Sequence, residues 1–177
     1  MPYAVFVIDP PWPQRKGGLR SVRPRQGRAL CYATLSVAEV FGLLDAEVLS
    51  QAEPQHTVFI WTIDKFLREC EEQMSARGYR LHARLIWDKG NGIAPAFTVR
   101  FAHEYLLWYY KPHLTPVASK GRFLTVIRAP AREHSRKPDE AYALVAALYP
   151  DQEKIDVFSR ERREGWDQFG DQTEWFR

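Results

Sequence analysis

Residues 3–8 form an unbroken run of apolar and β-favouring side chains that stops at once on Asp9-Pro10-Pro11-Trp12-Pro13. A run without polar alternation fits a strand buried on both faces, and such strands belong to sheets covered by helices on each side. A second run of this kind, His-Thr-Val-Phe-Ile-Trp-Thr, occupies residues 56–62. Between the two, Ser36-Val37-Ala38-Glu39 has the S-x-x-E spacing of a capping box. Val37, Val40, Phe41, Leu44 and Val48 follow at helical spacing, which predicts an amphipathic helix over 37–50. A further stripe (Ile63, Phe66, Leu67, Cys70, Met74) closes on Gly78, placed to take the left-handed position after a helix. Strand, helix, strand, helix in that order points to an α/β fold with a mostly parallel sheet and helices on both faces.

Further strands are expected at 84–89, 103–111, 122–127 and 154–159, with a glycine-containing loop after the first of these. Pro138 suits the first position of a third helix, with Asp139 and Glu140 in its positive first turn and Pro150 beyond its end. With 177 residues, 45% of them hydrophobic, the chain is expected to form one domain over 1–177. No apolar run reaches the roughly 18 residues of a membrane span, and no secretory signal is recognisable. The two cysteines, Cys31 and Cys70, and the five histidines lack metal-ligand spacing, so no metal is expected and the chain reads as cytoplasmic or otherwise intracellular.

In an open α/β sheet, ligands bind beyond the carboxyl ends of the strands, which is where Asp9 falls. Pro10 and Pro11 have fixed φ and no N–H, so their carbonyls are expected to be held in restricted directions without a competing local donor. A carboxylate and a proline carbonyl then form a rigid pair of acceptors, with the flat face of Trp12 beside them. Such a set suits a planar molecule bearing an amino group, as adenine does. Holding both amine hydrogens would favour the tetrahedral, nucleophilic nitrogen, and Trp12 could stack on the base. The plain alternative is a stiff strand-to-loop turn with a packed tryptophan.

The sequence also resembles a known family, the DPPW-type amino-methyltransferases that include the catalytic subunit acting on adenosine in eukaryotic mRNA. The shared segments are IDPPW (8–12), YATLSVAEV (32–40), LIWDK (85–89), HEYLLWYYK (103–111), KPDEAY (137–142) and VFSRERREGWDQFGDQ (157–172), in the family's order. The resemblance is to small bacterial or phage members. It implies a Rossmann-like methyltransferase fold in permuted order, with the catalytic strand first and the cofactor strand last, and S-adenosylmethionine as cofactor. It implies that Asp9, Pro10, Pro11 and Trp12 are catalytic, with Asp9 also near the cofactor. Lys137 matches the lysine facing the cofactor carboxylate. Phe158 and Arg160 match positions lining its ribose and adenine, and Asp171 and Gln172 match a pair bonded near its ribose. Arg163 falls where the family usually has an asparagine and is carried as a cofactor contact on that basis. Taken singly, Phe158, Trp166 and Phe169 could equally be core, and Arg162 a solvated charge.

The net charge of +3 conceals a local excess, since residues 13–28 hold six basic side chains and no acid. Residues 13–30 are therefore read as a basic active-site loop, with Arg15, Lys16, Arg20, Arg23 and Arg25 as phosphate contacts. The alternative is a solvated loop. Residues 90–136, which include strands, are read as a substrate-recognition region. In it Lys111, His113, Lys120, Arg122, Arg128 and Arg132 would form an opposing cationic wall, with Lys111, Lys120 and Arg122 binding substrate. Tyr32 is a candidate for base stacking, as Trp12 is. His103 beside Glu104 reads as structural. The expected activity is methylation of adenine N6 in nucleic acid, DNA favoured over RNA, with the base flipped out of any duplex. A non-catalytic binding subunit and a small-molecule methyltransferase are the alternatives, and the partners considered are nucleic acid and, as a homodimer, a second copy of the chain.

Overall fold

In the computed structural model, which describes residues 2–13, 34–90, 99, 101–133 and 136–176, the first apolar run is strand β1 (Tyr3–Ile8). The second belongs to β2 (Ala52–Thr62). They are followed by β3 (Arg80–Asp88), β4 (His103–Lys111), β5 (Val126–Arg128), β6 (Lys154–Val157) and β7 (Asp167–Phe169). These strands form one sheet in the order β5-β3-β4-β2-β1-β6-β7. β2 and β6 flank β1 in parallel, β7 is parallel to β6, and β5 is parallel to β3. β4 pairs antiparallel with both β2 and β3, so it alone runs against the others.

Alternation along β1 explains why its run carries no polar position. Phe6 and Ile8 enter one core cluster, and Val5 and Val7 the other. The first cluster is closed by α1 (Val37–Leu43) and α2 (Asp64–Ala76) through Val40, Phe41, Phe66, Cys70 and Met74. The second is closed by α3 (Asp139–Leu148) through Ala141, Tyr142, Leu144, Val145 and Leu148. Each large apolar side chain fully buried in this way contributes about 1.5–3 kcal/mol. Helices therefore cover both faces, as the apolar runs require.

Local signals hold closely at the helix ends. Ser36 Oγ accepts from Glu39 N at 3.3 Å while Ser36 N donates to Glu39 Oε2 at 2.7 Å, completing the capping box. Beyond α1 the chain continues as a wider π turn over Leu44–Val48 and a 3-10 turn over Leu49–Gln51. α2 ends in a Schellman motif, with Tyr79 N bonded to Met74 O and Gly78 N to Ser75 O. Gly78 sits there at φ +79°, which favours glycine. Pro138 is the N-cap of α3 rather than its first helical residue, with an extended ψ of 139°. The strand expected over 122–127 is instead Val126–Arg128, and the one expected to reach 159 ends at Val157.

Chain order and sheet order together create a switch point. From β1 the chain moves through α1 to β2 on one side, and it later arrives through α3 at β6 on the other. Above the carboxyl ends of β1 and β6, the covering connections diverge and leave a crevice.

Candidate active site

Asp9 stands directly beyond β1, its N–H bonded to Val157 O on β6 at 3.0 Å. Residues 9–12 form the floor of a cleft of about 630 Å³, its solvent-open mouth included. Trp61 and Thr62 at the end of β2 and Glu104 at the start of β4 contribute one wall. Lys137, ahead of α3, closes the row of charges, and Phe158, Arg160, Asp171 and Gln172 complete the opposite side. Six strand or helix boundaries thus converge on the switch point.

The electrostatics centre on a buried ion row. Lys137 Nζ lies 2.9 Å from Asp9 Oδ1 and 3.1 Å from Glu104 Oε2. Lys89 Nζ takes the other Glu104 oxygen, Oε1, at 2.5 Å. Burial opposes the charge on Lys137, but the two carboxylates outweigh it and raise its pKa above the ordinary lysine range. Burial pushes the Asp9 carboxyl up against the pull of Lys137. For Glu104 burial acts in the same sense, yet two lysines prevail and its pKa is lowered. The Lys137 ammonium is therefore the shared counter-charge of Asp9 and Glu104, a role that its sequence position alone did not disclose.

The proline segment needs two corrections. Pro10 O accepts from Trp12 N at 2.8 Å, a local donor, and Pro11 O accepts from Leu35 N at 3.0 Å, a donor distant in sequence, so both carbonyls are already engaged. A carbonyl oxygen has two lone pairs, which leaves each able to accept a second bond. Trp12 borders the cleft but is only 4% exposed, its ring stacked on Phe66 at 5.4 Å and its Nε1 bonded to Trp61 O at 3.0 Å. Its indole packs in the core and anchors the Asp9–Pro11 floor; it does not offer an open stacking face.

Phe158 is the single non-glycine residue at positive φ among the described residues, at +61°. That conformation is strained for a bulky side chain and is found where the surrounding structure enforces it. Here Phe158 N donates to Phe169 O on β7 at 2.6 Å, and Gly170 (φ +148°) lies so close that a Cβ would sit 3.2 Å from Phe158 Cα. The kink ends β6 and sets Phe158 on the cleft lining. Nearby, Gln172 Oε1 is buried without a hydrogen-bond partner among the described residues, an acceptor suited to a hydroxyl or amine from a bound molecule.

The other sequence candidates separate clearly. Arg160 lines the cleft, and its guanidinium packs on the Phe176 ring at 5.1 Å. Arg163 does not line it: its guanidinium lies over the ring of Tyr142 on α3 at 3.5 Å and bridges to Glu161 at 3.0 Å, a largely buried structural contact. Lys111 is corrected as a wall residue. Because β4 is antiparallel, Lys111 pairs with His56 near the start of β2, at the far end of the sheet, where its Nζ bonds Arg77 O at 2.8 Å. Lys120 is exposed two residues beyond Ala118, whose N–H bonds Leu148 O at the distal end of α3, so it also lies away from the cleft. Arg122 is exposed over Phe123 and does not line the cleft. Arg15, Lys16, Arg20, Arg23, Arg25 and Tyr32 lie outside the described residues. Glu104 is the charged lining residue that sequence reasoning passed over, beside the uncharged Trp61 and Thr62; the same reversal of β4 that removes Lys111 brings Glu104 to the site.

Behind the cleft, on the α3 side of β6, Asp156 is fully buried, with Oδ1 accepting the Tyr142 hydroxyl at 3.3 Å. Burial pushes its carboxyl up to about 7, against the bonds from Ser159 and Tyr142 and the charge of Arg163. Between about pH 4 and this value the folded protein holds a proton that the unfolded chain has lost, so this group makes stability fall as pH rises through that window. Asp156→Asn should therefore gain stability relative to the parent from about pH 4 to about 7, by at most on the order of 4 kcal/mol, and hold that gain above. Urea melts at pH 5 and pH 8 check this, and a pH-independent difference would contradict it.

Comparison with known proteins gives one consistent result. The model of the family described as MT-A70 matches residues 3–172. A putative N(6)-adenosine-methyltransferase MT-A70-like protein of Medicago truncatula is 26% identical over 96% of this chain and 26% of its own length. An MT-A70-like protein of Drosophila melanogaster is 27% identical over 99% of this chain and 28% of its own. The human N(6)-adenosine-methyltransferase catalytic subunit METTL3 is 28% identical over 89% of this chain and 26% of its own. The chain thus spans about a quarter of the length of these relatives.

Proposed function

The chain belongs to the MT-A70 family, and on that premise we propose that it transfers a methyl group from S-adenosylmethionine to the N6 amine of adenine in nucleic acid. The observation that carries this reading is the Asp9-Pro10 acceptor pair at the sheet's switch point, held by the Lys137 ion row. DNA is the favoured substrate, and RNA is the second reading because the relatives are named for adenosine.

The cleft fits a methyl donor of this kind. Gln172 Oε1 lacks a partner among the described residues, Asp171 and Arg160 are beside it, and Phe158 lines the same side. Asp171 and Gln172 would take ribose hydroxyls, Phe158 would pack against the adenosine, and Lys137, already shared by Asp9 and Glu104, would face the donor's carboxylate end. When bound, S-adenosylmethionine supplies an electrophilic sulfonium methyl. The chain's part is to position the nucleophile. Asp9 would accept one amine hydrogen on its carboxylate, and the second lone pair of Pro10 O would accept the other. That arrangement localises the nitrogen lone pair toward the methyl group and needs chiefly orientation and fixed charge. Once methylated, the nitrogen is acidic, so Asp9 need be only a weak acceptor for the departing proton. The basic loop over 13–30 would supply phosphate contacts.

Expression in a host without adenine methylation, followed by sequencing-based mapping of N6-methyladenine in its DNA and RNA, tests this reading. Methylated adenines recurring in DNA are expected. Methylation confined to RNA would establish the second reading, and none in either, from folded protein, would overturn both.

A further inference from the structure

We propose that Lys89 is a positioning residue for this site: by holding Glu104, it supplies the second positive charge that lets Glu104 and Asp9 remain ionised around a single buried lysine. The proposal rests on the methyl-transfer reading for its kinetic consequence, though not for its electrostatics. Lys89 follows β3 and does not line the cleft. Its N–H bonds Ala102 O at 2.9 Å, which fixes its backbone beside the start of β4. Its side chain is 13% exposed and crosses the Trp87 indole, with Nζ 4.7 Å from the ring centroid, before reaching Glu104 Oε1.

The charges alternate along the row as Lys89, Glu104, Lys137, Asp9 and sum to zero. Lys137 contacts both carboxylates at nearly equal distance, so neither anion has it alone. Removing Lys89 would leave two buried carboxylates on one ammonium, and like charges sharing a counter-ion force one of them toward its protonated form. The other ionisable groups facing Asp9 are the same with and without Lys89. Arg160, beyond β6, favours the Asp9 carboxylate more weakly than Lys137 does and gains nothing when Lys89 is lost, while Asp156 on β6 is pushed up to about 7 by its own burial. Tyr142 on α3 stays a neutral phenol. A protonated Asp9 would lose acceptor capacity toward the amine, and a protonated Glu104 would loosen its hold on Lys137. In either case activity becomes dependent on a proton that the intact row holds off to lower pH.

The test compares rate against pH for the parent, Lys89→Met and Lys89→Arg, with Lys89→Gln in place of the methionine variant if that one fails to fold. For Lys89→Met the acid limb should move up by about one pH unit or more, with the high-pH rate recovered, and Lys89→Arg should restore the parent profile. A purely structural role would lower the curve without moving its limb. In parallel, carboxyl-carbon NMR of the folded proteins should show the Asp9–Glu104 pair taking up a proton at higher pH in Lys89→Met. Unchanged limbs and unchanged carboxyl titrations would overturn the proposal. A shifted NMR titration in a protein that methylates neither DNA nor RNA would sustain the role of Lys89 and remove the methyl-transfer reading instead.

Discussion

Asp9→Asn is expected to reduce methyl transfer by roughly 10²–10³-fold, the range found when one preorganised polar group at a reacting centre is lost. The substitution keeps the shape of the side chain but replaces a carboxylate by an amide, whose NH₂ cannot accept. It also removes the anion that Lys137 contacts at 2.9 Å, so Lys137 would turn toward Glu104. The floor of the cleft should survive, because the Asp9 N–H bond to Val157 O and the Trp12 anchor involve neither carboxylate oxygen. The decrease should therefore appear in kcat, with methyl-donor affinity altered little. Single-turnover kinetics beside calorimetric titration of the donor check this, and a full-rate variant would remove Asp9 from the mechanism.

Lys137→Met should have the broadest effect of any single substitution at the site. Removing one member of a buried ion pair costs about 3–5 kcal/mol, because the partner charge is left uncompensated. Here two partners are affected, of which Glu104 retains Lys89 and Asp9 does not. The sign with pH follows from the raised pKa of Lys137. Its contribution in the parent is complete below the ordinary lysine value and is lost as pH rises through the higher folded-state value. In the variant the penalty comes from ionised carboxylates, so it should be largest near neutral pH and shrink as the solution is acidified toward their protonation. Denaturant melts of parent and variant at pH 5 and pH 8 give the comparison. Equal losses at both pH values would show that Lys137 acts by packing rather than by charge. Activity should be lost in the variant at either pH.

Much of this arrangement was legible in the sequence because its signals are local. The bounds of β1 and β4 follow from continuous apolar runs, the entry to α1 from Ser36 and Glu39, and the exit of α2 from Gly78. Asp9 could be placed at a ligand site because its strand is buried on both faces and parallel sheets bind at their carboxyl ends. What escaped depends on pairing. Nothing in the composition of residues 103–111 declares their direction, and reversing that strand exchanges the ends at which Glu104 and Lys111 lie. The three-residue β7 is too short for periodicity to reveal, and the positive φ of Phe158 depends on its tertiary neighbours Phe169 and Gly170. Trp12 illustrates a different difficulty. An indole after two prolines suggests an exposed face, but Phe66 and the Trp61 carbonyl, both distant in sequence, claim it for the core.

On the proposed reading, the Asp9 cleft presents an adenine amine to a sulfonium methyl group. The most direct test of that reading is incubation of the purified chain with isotope-labelled S-adenosylmethionine and adenine-containing DNA or RNA, followed by nucleoside mass spectrometry. Label should appear as N6-methyladenine with the parent and fall to near background with Asp9→Asn. Label on another atom, or equal N6 labelling by parent and variant, would contradict it.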